Sequence, residues 1–409
     1  EHVRERLEVR GETPPLDEII QLDLERRRLI AESDSLRELR NKVSRAIGQS
    51  GSKPSDDQIR DMRQVGDRIK KIEEDLGDVE KSVYELTIRL PNLPMENVPI
   101  GLNETANVII EEHGNPVERS YEVEPHWESA VRLGIIDFEA GARISGTRFY
   151  VLRGAGARLQ HALTSLMLDV HTRKHGYLEI APPVIVRGET MTGAGNLPKF
   201  EDDLFRDGDM FFIPTAEAAL ASLHAGEILE PGVLPLKYVA RTPCFRKEHA
   251  AAGRDTRGIK RVRQFEKVEM FRFCEPEESN VAFHEIVGEA TEICRQLGLT
   301  YRVVELCTGD ISFQAARTFD IEVWAPGSKE WLEVSSVSTC TDFQARRTNT
   351  RYRPGQGVPI RYPHMLNGSG LAIPRVLIAL VENGQKEDGS VTIPEALQPY
   401  TGFERISSG

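Results

Sequence analysis

Between residues 62 and 90, Met62, Val65, Ile69, Ile72, Leu76, Val79, Val83, Leu86 and Leu90 follow one another at alternating steps of three and four. That spacing draws a single apolar stripe along a helix, and the stripe demands a second helix to cover it. The partner lies upstream. Leu22, Leu29, Leu36 and Val43 recur every seven residues, and Leu39 and Ala46 are expected at the alternate positions. Between the two runs stands Gly48-Gln49-Ser50-Gly51-Ser52-Lys53-Pro54-Ser55, a breaker segment in which Ser55 or Asp56 can cap the next helix. Two helices of about 30 residues joined by so short a loop must fold back antiparallel, over roughly 45–50 Å at 1.5 Å per residue. Pro91-Asn92-Leu93-Pro94 then stops the second helix.

A hairpin with one apolar seam and two wet flanks cannot be the core for the roughly 300 residues that follow it. It is an arm. Its distal half is rich in Arg37, Arg40, Lys42, Arg45, Lys53, Arg60, Arg63, Arg68 and Lys70, although the chain as a whole carries a net charge of −12. The overall acidity argues against a protein that coats nucleic acid indiscriminately. The local basic strip suits either a solvated coiled-coil face laced with ion pairs or a surface for a phosphate backbone, and the hairpin alone does not decide between them.

No run of about 18 apolar residues suggests a membrane span, and Glu1-His2-Val3-Arg4-Glu5-Arg6 lacks the apolar core of a signal peptide. The five cysteines, Cys244, Cys274, Cys294, Cys307 and Cys340, are odd in number and never spaced as Cys-x-x-Cys. Partly buried free thiols in a reducing compartment are therefore expected, with neither a disulfide framework nor a zinc cage.

From about Ile100 onward the texture changes. Residues 156–174 form an amphipathic pattern, followed by an apolar strand from Tyr177 to Val186 that Pro182-Pro183 interrupts. Short β-rich runs occur at Met210–Ile213, Tyr238–Arg241, Val268–Phe273, Phe319–Val323 and Trp331–Ser338, and helices are expected near Asn280–Leu297 and Leu371–Asn383. Strands outnumber crossover helices, which predicts an α+β fold: a mainly antiparallel central sheet flanked by helices, preceded by the long coiled-coil hairpin. The expected division is 1–100 for the hairpin and 101–409 for the second domain.

Three clusters carry candidate chemistry. The first is Phe245-Arg246-Lys247-Glu248, then a basic connection containing Arg254-Asp255-Thr256-Arg257-Gly258, then Arg263-Gln264-Phe265-Glu266-Lys267-Val268-Glu269. It fits a strand, a loop and a return strand, with Arg246 and Glu248 on one face. The second is Glu333-Val334-Ser335-Ser336, expected to place alternate polar groups on one strand face. The third is Leu366-Asn367-Gly368-Ser369-Gly370, leading into an apolar helix with one basic residue, Arg375. Each has an ordinary explanation: a strand-face ion pair, a turn at Asn367-Gly368, a helix-surface charge. The chain has neither a Gly-x-x-x-x-Gly-Lys-Ser/Thr loop nor a Gly-x-Gly-x-x-Gly after a strand, so a bound nucleotide would need arginines and strand-borne carboxylates.

Taken together, the segments resemble the class II aminoacyl-tRNA synthetases, and within them the seryl enzymes. Pro182-Pro183 after the long helix is similar to the first class signature, FRKEHAAAGRDTRG through QFEKVE to the second, and NGSGLAIPR to the third. Pro214-Thr215-Ala216-Glu217, Asp342-Phe343-Gln344-Ala345-Arg346-Arg347 and Glu387-Asp388-Gly389-Ser390 resemble further seryl-enzyme segments, and the hairpin resembles the family's tRNA-binding arm. The likeness covers nearly the whole chain. It implies activation of L-serine by ATP and transfer of the acyl group to the 3′ end of tRNA(Ser). Whether tRNA(Sec) is also a substrate stays open.

By the same resemblance Arg246, Glu333 and Arg375 are the catalytic residues. ATP would be held by Arg246, Lys247, Glu248, Phe265, Glu333, Val334, Ser335, Ser336 and Arg375, and Mg²⁺ by Glu333 and Ser336. Serine would be held by Thr215, Ala216, Glu217, Arg246, Glu269, Asn367 and Ser369. The long variable arm of the tRNA would meet Arg37, Arg40, Lys42, Arg45, Lys53, Arg60 and Arg63. A cytoplasmic homodimer is implied. The chain departs from the usual bacterial pattern at His249, Arg263, Val337 and Met365, none of which carries an assigned role. Two other readings remain at this point: a paralogue that loads an amino acid onto a carrier, and a catalytically dead coiled-coil scaffold.

Overall fold

The computed structural model describes residues 1–50, 53–249 and 257–407. Gly51 and Ser52 of the expected interhelical loop, and Arg254, Asp255 and Thr256 of the expected basic loop, lie outside the described residues. The chain divides into two compact units, Glu1–Glu8 with Glu12–Leu90 and Val9–Gly11 with Pro91–Gly409.

In the first unit, α1 (Leu16–Ser50) and α2 (Asp56–Thr87) pack against each other. Ser55 caps α2 in both directions. Its hydroxyl accepts the Gln58 N–H at 3.2 Å, and the Ser55 N–H donates to the Gln58 side chain at 3.0 Å. Helix α1 runs through Gly48 to Ser50, so the breaker run begins later than its composition suggests. On the α2 side the seam follows the expected residues: Ile69 and Ile72 are buried, and Met62, Val65, Leu76, Val79, Val83, Leu86 and Leu90 are half-buried.

On α1 the expectation is half corrected. Leu29 is buried and Leu22, Leu36 and Val43 are half-buried, but Leu39 is 44% exposed and Ala46 is also exposed. The second row instead follows the residues four after each seam leucine, through Arg26, Ser33 and Ile47, with Ser33 only 4% exposed. An arginine and a serine in that row (Arg26 and Ser33), and the exposed Arg40 that interrupts it, hide it from any hydrophobicity pattern. Cross-helix ion pairs join Arg37 to Glu73 at 2.7 Å and Arg68 to Glu32 at 2.5 Å. Both are exposed, so they fix register more than they stabilise.

The second unit is built on a sheet of eight strands among the described residues: β1 (Val108–His113), β2 (Leu178–Glu179), β3 (Leu236–Phe245), β4 (Gln264–Cys274), β5 (Tyr301–Glu305), β6 (Arg317–Ala325), β7 (Glu330–Thr339) and β8 (His364–Ala372). Their spatial order is β1-β5-β6-β7-β8-β4-β3-β2, and every pairing is antiparallel except that of β2 with β3. The stretch expected as one strand from Tyr177 to Val186 splits in two. Leu178–Glu179 joins the sheet, while Ile185–Arg187 joins Met210–Phe212 and Arg206–Asp207 in a separate small sheet. Pro182 and Pro183 between them offer no N–H to a ladder.

One face of the large sheet is covered by α3 (Ala155–Arg173), α5 (Ser279–Gln296) and α6 (Ile373–Asn383). Leu159, Leu163, Met167, Phe283, Ile286, Val376 and Leu380 pack there with Val268, Met270 and Val337. The other face packs Tyr238, Ala240, Phe271 and Phe273 against Met191 and the short helix α4 (Glu217–Ala221). Alternation along β4 therefore sends Lys267 and Glu269 toward the α4 side, with Phe271 and Phe273.

Asn367–Gly370 is not a turn but the middle of buried strand β8. The glycines serve close packing: a Cβ at Gly368 would lie 2.6 Å from Ile286 Cγ2, and one at Gly370 would lie 2.9 Å from His171 Nε2. The departures Val337 and Met365 are both fully buried core residues. All five cysteines are buried and unpaired.

The hairpin seam makes a direct stability prediction. Ile72→Ala, at a fully buried position, should cost about 2–5 kcal/mol. Leu24→Ala, at a residue 55% exposed, should stay within about 0.5 kcal/mol. Urea titrations followed by helical circular dichroism compare the two.

Candidate active site

Strands β3, β4, β7 and β8 and the start of α6 bring polar side chains to one cavity of about 460 Å³. Its two ends differ in chemistry. At one end stand Arg246, Phe265, Arg375, Lys260 and Arg261. The Arg246 guanidinium lies 5.2 Å from the centre of the Phe265 ring, and its Nε donates to the Pro214 carbonyl at 3.3 Å. Arg375 is anchored twice to Glu333: Nη1 donates to the backbone carbonyl at 2.7 Å and lies 3.1 Å from the carboxylate. Its Nε also reaches the Lys260 carbonyl at 3.4 Å. Glu248, at φ +57°, has its carboxylate 3.9 Å from both Arg148 and Arg261.

The wall formed by β7 corrects a sequence expectation. Simple alternation would put Glu333 and Ser335 on one face. The β6–β7 ladder instead pairs Glu322 with Glu333 and Ile321 with Ser335, so Val334 is an extra residue and the pleat changes phase. Glu333, Ser336 and Ser338 consequently share the cavity wall, while the buried Ser335 hydroxyl donates to the Ser369 carbonyl at 2.6 Å. Opposite Ser336 in the ladder lies Asp320, whose Oδ1 is buried with no hydrogen-bond partner. Burial, and then the charge of Glu333, push the Asp320 carboxyl well above its ordinary range. Burial also pushes Glu333 upward, but Arg375, helped by Arg246 and Lys267, more than offsets it and holds that carboxyl low.

The other end of the cavity is a carboxylate nest. Glu217, at the start of α4, receives Gln344 Nε2 at 2.8 Å and Gln314 Nε2 at 3.3 Å on one oxygen. Glu269 is fully buried behind it. It accepts from Thr215 Oγ1 and Asn367 Nδ2, each at 3.3 Å, and pairs with Lys267 at 2.5 Å. Three amide oxygens in this nest, on Gln314, Gln344 and Asn367, are buried without a partner.

Of the residues singled out from sequence, Arg246, Glu248, Phe265, Glu333, Val334, Ser336, Arg375, Thr215, Glu217, Asn367 and Ser369 line this cavity. Four others sit apart from its surface. Ser335 and Glu269 are buried as described, and Ala216 is buried against the second core. Lys247 is tied through its backbone, its N–H to the Asp203 carbonyl at 2.9 Å and its carbonyl to Arg263 Nε at 3.2 Å. That bond gives the departure Arg263 a role in holding the return strand, while His249 is exposed and its N–H donates to Asp203 Oδ1 at 2.8 Å.

Sequence reasoning gave no role to Lys267, Gln314, Gln344 or Asp320. Lys267 was within reach, since it sits two residues before Glu269 on a strand. Gln314, in the loop before β6, and Asp320, on β6, come from segments distant in sequence that only the fold unites with the site.

Comparison with known proteins agrees with this geometry. Residues 1–94 match the seryl-tRNA synthetase N-terminal domain, and residues 199–384 match the class II tRNA synthetase core domain (G, H, P, S and T). A serine–tRNA ligase of Thermomicrobium roseum is 52% identical over 406 residues, which is 98% of this chain and 91% of the relative. The chain belongs to the seryl-tRNA synthetases. Among solved structures, the seryl-tRNA synthetase of Pyrococcus horikoshii complexed with ATP superposes with a TM-score of 0.93 at 38% identity, covering 100% of this chain and 97% of that one. The cytoplasmic serine–tRNA ligase of Naegleria fowleri in complex with AMP gives a TM-score of 0.88 at 32% identity, covering 99% and 95%. The α+β fold with its mainly antiparallel sheet and the long N-terminal helices is thus the fold of this enzyme family.

The carboxylate nest predicts a pH effect. Burial, and then the neighbouring Glu269 charge, push Glu217 up to about 7 from an ordinary 4.5, against the pull of Lys267 and the two glutamine amides. Because the folded state keeps this proton longer than the unfolded chain, stability is lost as pH rises from 4.5 through 7. At 1.36 kcal/mol per pKa unit the loss is about 3 kcal/mol. Glu217→Gln should therefore gain about that much relative to the ligand-free parent between pH 4 and pH 8 in urea titrations. A pH-independent difference would contradict the assignment.

Proposed function

We propose that this cavity activates L-serine with ATP and passes the seryl group to the 3′ end of tRNA(Ser). The observation that carries the reading is the joining of the two ends of one cavity at Arg246. Arg246 sits over Phe265 on one side and beside the Pro214–Thr215 backbone on the other. A guanidinium there can hold the serine carboxylate and the α-phosphate together, so that an oxygen of the first attacks the phosphorus of the second and pyrophosphate leaves. Phe265 and Arg375 offer two faces for an adenine ring, and Glu248 an acceptor for its amino group. The ribose 3′-hydroxyl of tRNA then attacks the seryl carbonyl and AMP leaves.

For serine, Glu217 at the cavity surface accepts hydrogen bonds from the ammonium and the hydroxyl, alongside Thr215 and Ser369, with Glu269 buried behind it. The unpartnered amide oxygens of Gln314, Gln344 and Asn367 favour a ligand rich in donors. Alanine would leave a buried acceptor unsatisfied, which is how such a site rejects it.

A magnesium ion fits the β7 wall. Glu333 and Ser336 present hard oxygen donors on one face, and Asp320 Oδ1 beside them lacks a partner. Two protein ligands with phosphates and waters are the usual Mg²⁺ environment. When bound, the ion neutralises charge on the ATP phosphates. Glu333 meanwhile holds Arg375 in place.

The division proposed is 1–100 as the tRNA-binding arm and 101–409 as the catalytic domain. Arg40, Lys42, Arg45, Lys53 and Arg63 are exposed on the hairpin, and the paired Arg37 and Arg60 lie on the same stretch. They suit backbone contacts to a long variable arm. A cytoplasmic homodimer is the assembly the family implies. No helix among the described residues is long and apolar enough to cross a membrane.

Pyrophosphate exchange run across the twenty amino acids tests the reading. Exchange should depend on serine, and Arg246→Ala should lower its rate about 10²–10³-fold. Charging of a long-variable-arm tRNA should follow, and should be lost on deletion of residues 16–90 while exchange survives. Exchange without charging would favour a carrier-loading enzyme, and no exchange with any amino acid would favour a scaffold.

A further inference from the structure

Away from the cavity, a buried carboxylate–imidazole pair holds the backbone of a cavity wall. Glu382, in the last turn of α6, is fully buried and accepts hydrogen bonds from the Gly327 and Ser328 N–H groups, each at 2.9 Å, and from the Ser328 hydroxyl at 2.7 Å. It also receives the His126 N–H at 3.0 Å and faces His126 Nδ1 at 3.0 Å. The far nitrogen of the same ring, His126 Nε2, lies 3.1 Å from the Ile259 backbone N–H.

An amide N–H can only donate, so Nε2 is the acceptor and the ring proton sits on Nδ1, donated to Glu382. Five donors on one carboxylate fix its position, and it in turn fixes the ring. The fit is tight: a Cβ at Gly258 would come within 2.0 Å of His126 Nε2.

Ile259 is followed directly by Lys260, Arg261 and Val262, all of which line the cavity. The Lys260 carbonyl accepts from Arg375, and Arg261 faces Glu248. Arg375 and Glu382 stand at opposite ends of the same helix, seven residues and about 10 Å apart. The helix thus grips segment 259–261 twice, through His126 at one end and directly at the other.

We propose that His126, oriented by Glu382, is a positioning residue for nucleotide binding: by holding the Ile259 amide it sets the wall on which Arg375 and Glu248 meet the adenine. The proposal rests on the reading of this cavity as the ATP site. It touches no reacting atom, so its effect falls on nucleotide affinity rather than on the chemical step or on serine.

The test is pyrophosphate exchange with His126→Ala. The KM for ATP should rise about tenfold, while the KM for serine and kcat change by less than about threefold, and added imidazole should restore much of the loss. Gly258→Ala crowds the same contact without altering the histidine and should raise the ATP KM alike, which covers the case in which His126→Ala folds poorly. An unchanged ATP KM in a folded variant would overturn the proposal, as would parallel losses for ATP and serine with no imidazole rescue. Amide hydrogen exchange in the ligand-free protein separates this proposal from the ATP reading. The Ile259 peptide should exchange at least about tenfold faster in His126→Ala even if the parent shows no serine-dependent activity, and unchanged protection would sink the relay.

Discussion

The pairing of Glu333 with Arg375 is the interaction on which the site depends. Arg375 enters at the first turn of a helix whose next six residues are all apolar, between Pro374 and Val376, both of which are buried. A guanidinium in such a place is costly unless it is paired and hydrogen-bonded. Glu333 supplies both conditions, through its carboxylate at 3.1 Å and its own backbone carbonyl at 2.7 Å. Breaking the pair would leave a half-buried charge on each side. The pair therefore locks α6 to the centre of the sheet, and with it the plane that one face of a nucleotide base would meet.

The same economy of fixed charges recurs at the other end of the cavity. Glu269 is tolerable in a dry nest because Lys267 lies on the same strand face, and Glu217 because two glutamine amides point at it. The nest still keeps more acceptors than donors. That imbalance is a cost in the empty protein and an attraction for a small ligand that brings an ammonium and a hydroxyl. Stability given up in the free protein becomes selectivity when the site is filled.

Much of this could be read from the chain before folding. The α2 seam, the Ser55 cap and most of the strands follow local rules of spacing, and the polar clusters at Arg246, Glu333 and Asn367 stood out by composition. What escaped did so for identifiable reasons. The second row of α1 carries Arg26 and Ser33, so no apolar pattern marks it. The Asn367–Gly370 strand looked like a turn because its glycines answer to Ile286 and His171, contacts made only in three dimensions. A bulge at Val334 reversed the expected faces of Ser335 and Ser336, and a one-residue insertion in a ladder leaves no signature in a single strand's sequence. Asp320 belongs to the site only because β6 and β7 are neighbours, and Gln314 only because the loop before β6 passes Glu217.

The central claim is that one cavity holds nucleotide and amino acid together, with Arg246 between them. A co-crystal structure with a non-hydrolysable seryl-adenylate analogue tests it most directly. The account predicts the adenine between Phe265 and Arg375, the seryl ammonium among Glu217, Glu269 and Thr215, and the acyl–phosphate mimic on Arg246. An adenine bound away from Phe265, or a seryl group outside the carboxylate nest, would contradict it.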